Sequence, residues 1–150
     1  MDNKERSIIT TGLCFLQIVV SAGTALGIVV QKNIVASNPV FNEYLCTYYG
    51  KPIRNLYWWS DYIWLILSLA YIFAAIMSYR RQENARRGMV IIAIVDIVFF
   101  LVLHFIAYTQ GNFIFKFTVE LGLPAVARQF ILQLAIIYIF TRKEIIAEFT

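Results

Sequence analysis

Apolar positions fall into four long stretches, at about residues 8–30, 62–79, 88–108 and 121–140, separated by short polar segments. A hydrocarbon core of ~30 Å takes about 20 apolar residues in a helix rising ~1.5 Å per residue, and each stretch meets or nearly meets that length. None of the four shows the polar face that a soluble surface helix presents. The pattern predicts an all-α fold: an integral membrane four-helix transmembrane bundle in which residues 1–150 form a single four-span membrane domain. The first stretch follows Lys4 and Arg6 and ends in Ser21, Ala22, Gly23 and Ala25, as a secretory signal does. It is longer than the roughly 7–15 apolar residues of a signal core, and is therefore read as a true span.

Composition agrees. Hydrophobic residues make up 60% of the chain and charged residues 15%, against about 25% charge in ordinary soluble domains, so charge is short for a water-facing surface. The basic residues set the orientation. Lys4, Arg6, Arg142, Lys143 and the four arginines of the 80–87 connection lie on one side, while Lys32, Lys51, Arg54 and Lys116 lie on the other. The positive-inside rule places both termini and the arginine connection in the cytoplasm. Arg80, Arg81, Arg86 and Arg87 either serve topology alone or also hold anionic lipid headgroups, at ~1 kcal/mol per basic residue near the surface. Nucleic acid is not expected as a partner, since the arginines are few and lie against a membrane.

All three tryptophans fall between residues 58 and 64, at the entry to the second span. Trp and Tyr favour the headgroup level, so this segment reads as an interfacial belt, with a contact platform of Trp58, Trp59 and Tyr62 as the functional alternative. The run from Tyr44 to Gly50 is compatible with a short strand or an interfacial helix. No Asn-X-Ser/Thr sequon occurs. Cys14 and Cys46 fall at different depths and do not pair within one chain, which excludes Cys-X-X-Cys redox chemistry.

Small residues recur at four-residue intervals in the first two spans: Gly23 and Gly27, then Ala70, Ala74 and Ser78. Such stripes let helices approach closely in lipid, and they predict packing of spans one and two or of two copies of the chain. Polar residues at membrane depth are the remaining candidates. Gln17, Tyr71, Asp96 and Gln133 lie roughly seven to nine residues in from the cytoplasmic boundary, ~10–14 Å deep, which predicts one polar layer at the bundle centre. His104 and Arg128 form a second group further out. A carboxylate in hydrocarbon costs at least ~2.5–3.5 kcal/mol, so Asp96 is expected to face inward. The expected arrangement pairs it with Arg128, buffered by Gln17 and Gln133; the alternative is a protonated Asp96 bonded to a glutamine. A polar clasp is the structural reading of this layer, and a proton or ion path is the functional one.

Spans three and four resemble the MARVEL-type tetraspan proteins and their plant Casparian-strip relatives. The shared features are the four-span layout with cytoplasmic termini, the acid in Val95-Asp96-Ile97-Val98-Phe99-Phe100, and the segment Phe105-Ile106-Ala107-Tyr108-Thr109-Gln110-Gly111-Asn112. The resemblance covers about a quarter of the chain. It departs from the plant relatives in the first span, where Gln17 stands in place of an interior arginine. It implies membrane-domain organisation or junctional scaffolding.

With one histidine, no metal-ligand spacing, no nucleophile–base constellation and no phosphate loop, neither an enzyme nor a cofactor or metal site is expected. The function expected is that of a non-enzymatic tetraspan that organises a membrane domain or serves as accessory subunit of a membrane complex, with the lipid bilayer and other membrane proteins or itself as partners. The alternative is a small multi-pass transporter or channel with a path through Asp96, His104 and Arg128.

Overall fold

The computed structural model describes residues 7–38, 40, 51–109 and 130–149; the side chains of 35, 36, 51–58, 104 and 107–109 lie outside the description. These residues are helical, with no strand among them. In chain order the helices are α1 (Ile8–Ser37), α2 (Lys51–Tyr79), α3 (Glu83–Thr109), α4 (Phe130–Phe140) and α5 (Lys143–Phe149). The segment from Tyr44 to Gly50 lies outside the described residues, as does the first half of the expected fourth span.

Local chemistry sets the ends. Ser7 caps α1: its hydroxyl accepts from the Ile9 amide at 3.1 Å and its carbonyl takes the first helical bond, from Thr11. Pro52 falls in the first turn of α2, where its missing N–H removes no helical bond. At the other end of α2, the Arg81 amide donates to the Ser78 carbonyl and the Gln82 amide to the Met77 carbonyl, the two bonds of a Schellman turn. That turn needs a left-handed residue, and Arg81 takes the position at φ 61°. A side chain there costs about 1–2 kcal/mol over glycine. Glu83 then opens α3 beside its own N-terminal dipole. The connection between α2 and α3 is therefore only residues 80–82, and the rest of the expected 80–87 loop, from Glu83 on, is helix.

α1 runs 30 residues and α2 29, about 45 Å and 43 Å, so both extend beyond the apolar stretches that reveal them. α1 packs on α2 and α2 on α3. Lys32 fixes the α1–α2 register with an ion pair to Asp61 at 3.3 Å and a seat over the Tyr62 ring. One core runs through the helices: Leu13 and Cys14 from α1, Tyr71, Ala74 and Ala75 from α2, Met89 and Ala93 from α3, Leu132, Ile136 and Phe140 from α4, and Ile145 from α5. The Phe100 and Phe130 rings meet edge to face at 5.1 Å, joining α3 to α4.

The small residues divide differently from expectation. Ala74 and Ala75 are buried where α2 meets its neighbours, and Ala70 is partly buried. Gly23 and Gly27 are exposed, and a Cβ at either would meet nothing within 4 Å. The glycine step of α1 thus makes no close approach among the described residues. The reason is rotational: the face that α1 buries carries Thr10, Leu13, Cys14, Gln17, Ser21 and Ile28, and the glycines lie off it.

Polar side chains share the interior with the apolar core, and much of the exterior is apolar. Buried positions include Thr10, Gln17, Ser21, Ser68, Ser78, Asp96 and Gln133, while large apolar side chains such as Phe15, Ile66, Phe73, Ile91, Phe105 and Ile131 stand at least 60% exposed. Among the described residues two helical segments, Ile8–Ile34 and Trp59–Tyr79, are long and apolar enough to cross a membrane.

Candidate functional site

Three of the polar residues singled out in the sequence meet in the interior. Tyr71 comes from α2, Asp96 from α3 and Gln133 from α4, each no more than 3% exposed. The Gln133 amide nitrogen donates to Asp96 Oδ2 at 2.7 Å. The Tyr71 hydroxyl lies 2.6 Å from Gln133 Oε1 and 3.3 Å from the same Asp96 oxygen. A phenol has one proton to give, so the shorter contact is its hydrogen bond and the longer one closes the triangle. Each helix supplies one member of the knot, and no two members are neighbours in sequence. The bonds therefore hold three helices in mutual register.

Gln17 is equally buried but bonds within its own helix, its amide nitrogen donating to Ser21 Oγ at 3.0 Å. Its Oε1 has no hydrogen-bond partner among the described residues, nor do Thr10 Oγ1 and Ser78 Oγ. These two hydroxyls differ from Thr24, Ser37 and Thr141, each of which bonds the carbonyl one turn back. The side chain of His104 and all of Arg128 lie outside the described residues, and with them the expected Asp96–Arg128 pair. Among the described residues no group of three His, Cys, Asp or Glu side chains is placed to hold a metal.

A second polar assembly sits where α2, α3 and α4 end on one side. Arg86 donates from Nε to Glu83 Oε2 at 2.6 Å and from Nη2 to Glu83 Oε1 at 2.7 Å, and its Nη1 donates to the carbonyl of Phe140. Arg87 Nε adds a bond to Glu83 Oε1 at 2.8 Å. Hydrogen bonding from Arg86, and then from Arg87, holds the Glu83 carboxyl down at about 2, against partial burial that pulls the other way. The same bond raises Arg86. The guanidinium thus caps an orphan carbonyl at the end of α4. It fixes the elbow from which α5 folds back, with Ile145 buried and Phe149 against Phe140 at 6.1 Å. This corrects one sequence expectation: Arg86 is buried and committed to protein partners rather than facing lipid headgroups. Glu83 at i−3 of Arg86 and i−4 of Arg87 is a legible helix pairing, whereas the Phe140 carbonyl, 54 residues away, left no trace in the sequence.

At the opposite end, Trp59 is exposed and tilts against Tyr62 at 6.3 Å, while Trp64 turns to Phe99 on α3 at 5.4 Å. The Lys32–Asp61 pair beside them was not anticipated. Its signal was available: two opposite charges flank the first two apolar stretches at the ends that face each other across the connection.

Compared with protein-family models, with curated proteins and with solved structures, the chain gives no match.

Proposed function

We propose that this chain is a four-span integral membrane protein with cytoplasmic termini, and that it works without catalysis, organising a membrane domain or serving as accessory subunit of a membrane complex. The observation that carries the reading is the apolar exterior, rich in exposed isoleucine, valine and phenylalanine, around a core that also holds glutamine, serine and aspartate. In lipid an outward apolar surface has no penalty, and buried polar groups bond one another instead of water. α3 supports a third span, since its 27 residues present Ile91, Ile94, Val98, Leu101 and Phe105 outward. The Tyr71–Asp96–Gln133 knot supports the non-catalytic part: its bonds join three helices to one another, as in a structural clasp. Alkaline carbonate extraction of membranes tests integration, with retention in the pellet expected. Native mass measurement after mild detergent extraction tests the assembly, and a chain that runs alone counts against the accessory-subunit role.

A second reading, a small transporter or channel, is favoured by the buried oxygens of Gln17, Thr10 and Ser78 that have no partner among the described residues. Proton or solute flux in proteoliposomes, abolished by Gln17→Leu, would establish it over the first.

A further inference from the structure

The α2–α3 turn joins a strained arginine to a concentration of positive charge. Arg81 closes the Schellman turn at φ 61°, where glycine is unstrained and an arginine is not. Arg80 beside it is exposed, and the Arg87 side chain is 67% exposed. The bond from Arg86 to the Phe140 carbonyl brings the end of α4 against this turn, so Arg142 and Lys143, both exposed, join the same rim. Among the described residues of this rim six basic side chains stand against two acidic ones, Glu83 and Glu144. Glu83 is committed to Arg86 and Arg87, and Glu144 pairs with Arg142 at 3.4 Å.

We propose that this rim binds the phosphate of an anionic lipid headgroup, with Arg81 and Arg87 as its principal contacts, Arg80 and Arg142 beside them, and Arg86 withheld as the structural member. The inference rests on the multi-pass reading above. A guanidinium fork matches phosphate oxygens in geometry and keeps its charge at every physiological pH. Position selects lipid over a soluble anion: Arg80 and Arg81 directly follow the apolar segment Trp59–Tyr79, which sets them at headgroup level. The left-handed site adds the second line of support, because backbone strain held at a polar surface is a mark of side chains in use.

The test is native mass spectrometry of the full chain in detergent, titrated with phosphatidylglycerol, with phosphatidylcholine and with inorganic phosphate. Phosphatidylglycerol is expected to be retained over phosphatidylcholine, and Arg81→Gly and Arg87→Gln are each expected to weaken that retention about fivefold. Arg81→Gly should also leave thermal stability equal or higher, since the turn relaxes, which separates lost binding from lost folding. Equal retention of the two lipids, or unchanged retention in both variants, overturns the proposal. Inorganic phosphate bound as tightly as phosphatidylglycerol overturns the lipid assignment. Should Arg81→Gly fail to fold, Arg87→Gln decides alone. Release of the chain by alkaline carbonate defeats the multi-pass reading itself, whereas membrane integration without lipid preference defeats only this inference.

Discussion

Gln133 on α4 and Asp96 on α3 meet through one hydrogen bond of 2.7 Å, deep in the bundle, and Tyr71 of α2 bonds to Gln133 from the other side. Gln133 is thus the bridging member, acting as donor to one neighbour and acceptor to the other. An amide does both through two separate atoms, its nitrogen donating and its oxygen accepting.

That position predicts an order of effects. Tyr71→Phe removes one interhelical bond and should destabilise the bundle by about 0.5–1.5 kcal/mol, the range for such bonds in membranes. Gln133→Leu removes the bridge and deprives Asp96 of a donor, so it should be worse, at about 1–3 kcal/mol. Thermal unfolding in detergent checks the order. A double-mutant cycle that returns additive effects for these two changes would contradict the bonded geometry.

Arg86 should behave as the keystone of the α4–α5 elbow. Replacing it with alanine leaves the Phe140 carbonyl without its charged donor and the Glu83 carboxylate with Arg87 alone, and is expected to cost about 1.5–3 kcal/mol. Hydrogen exchange should rise selectively across 143–149. Arg87→Ala, at a largely exposed position, should stay below about 0.5 kcal/mol.

The same clamp gives a pH dependence. Its folded carboxyl is held at about 2, below the ordinary 4.5, so the unfolded chain takes up the proton first as pH falls. The stabilisation from Glu83 is therefore complete above about 4.5 and disappears as pH drops toward about 2. Thermal stability of the wild type should exceed that of Glu83→Gln at pH 7, and the two should converge only as the pH falls to about 2. A gap that is constant across this range would show that the carboxylate charge contributes nothing.

Small residues should matter on α2 and not on α1. Ala75 is fully buried, and Ala75→Leu forces extra volume into a packed core, at about 1–3 kcal/mol. A side chain at Gly23 or Gly27 meets open space, so Gly23→Ala and Gly27→Ala should be neutral or mildly stabilising, glycine being the poorer helix former. Lowered monomer stability in either glycine variant would contradict the open surroundings of α1.

Topology is checked at the cysteines. Cys46 should react with a membrane-impermeant thiol reagent from outside intact cells, and Cys14, 1% exposed, should stay protected even after permeabilisation. Labelling of Cys46 only after permeabilisation would reverse the orientation.

The helical class of this protein and the places of its long helices were legible in hydrophobicity alone, because a run of about 20 apolar residues admits few other structures. Depth counting also put Tyr71, Asp96 and Gln133 at a common level, since helical rise converts sequence distance into height. Rotation about each helix axis was not legible. In a helix apolar on every side the sequence carries little amphipathic signal, so nothing announced that α1 turns Gln17 and Ser21 inward and Gly23 and Gly27 outward. Nor did any local pattern mark the carbonyl of Phe140 as the partner of Arg86, or Arg81 as the left-handed residue of the turn. A backbone carbonyl has no sequence signature, and the Schellman turn usually reveals itself by a glycine that is not there. Those choices belong to the packing of whole helices against one another, and only the tertiary structure made them.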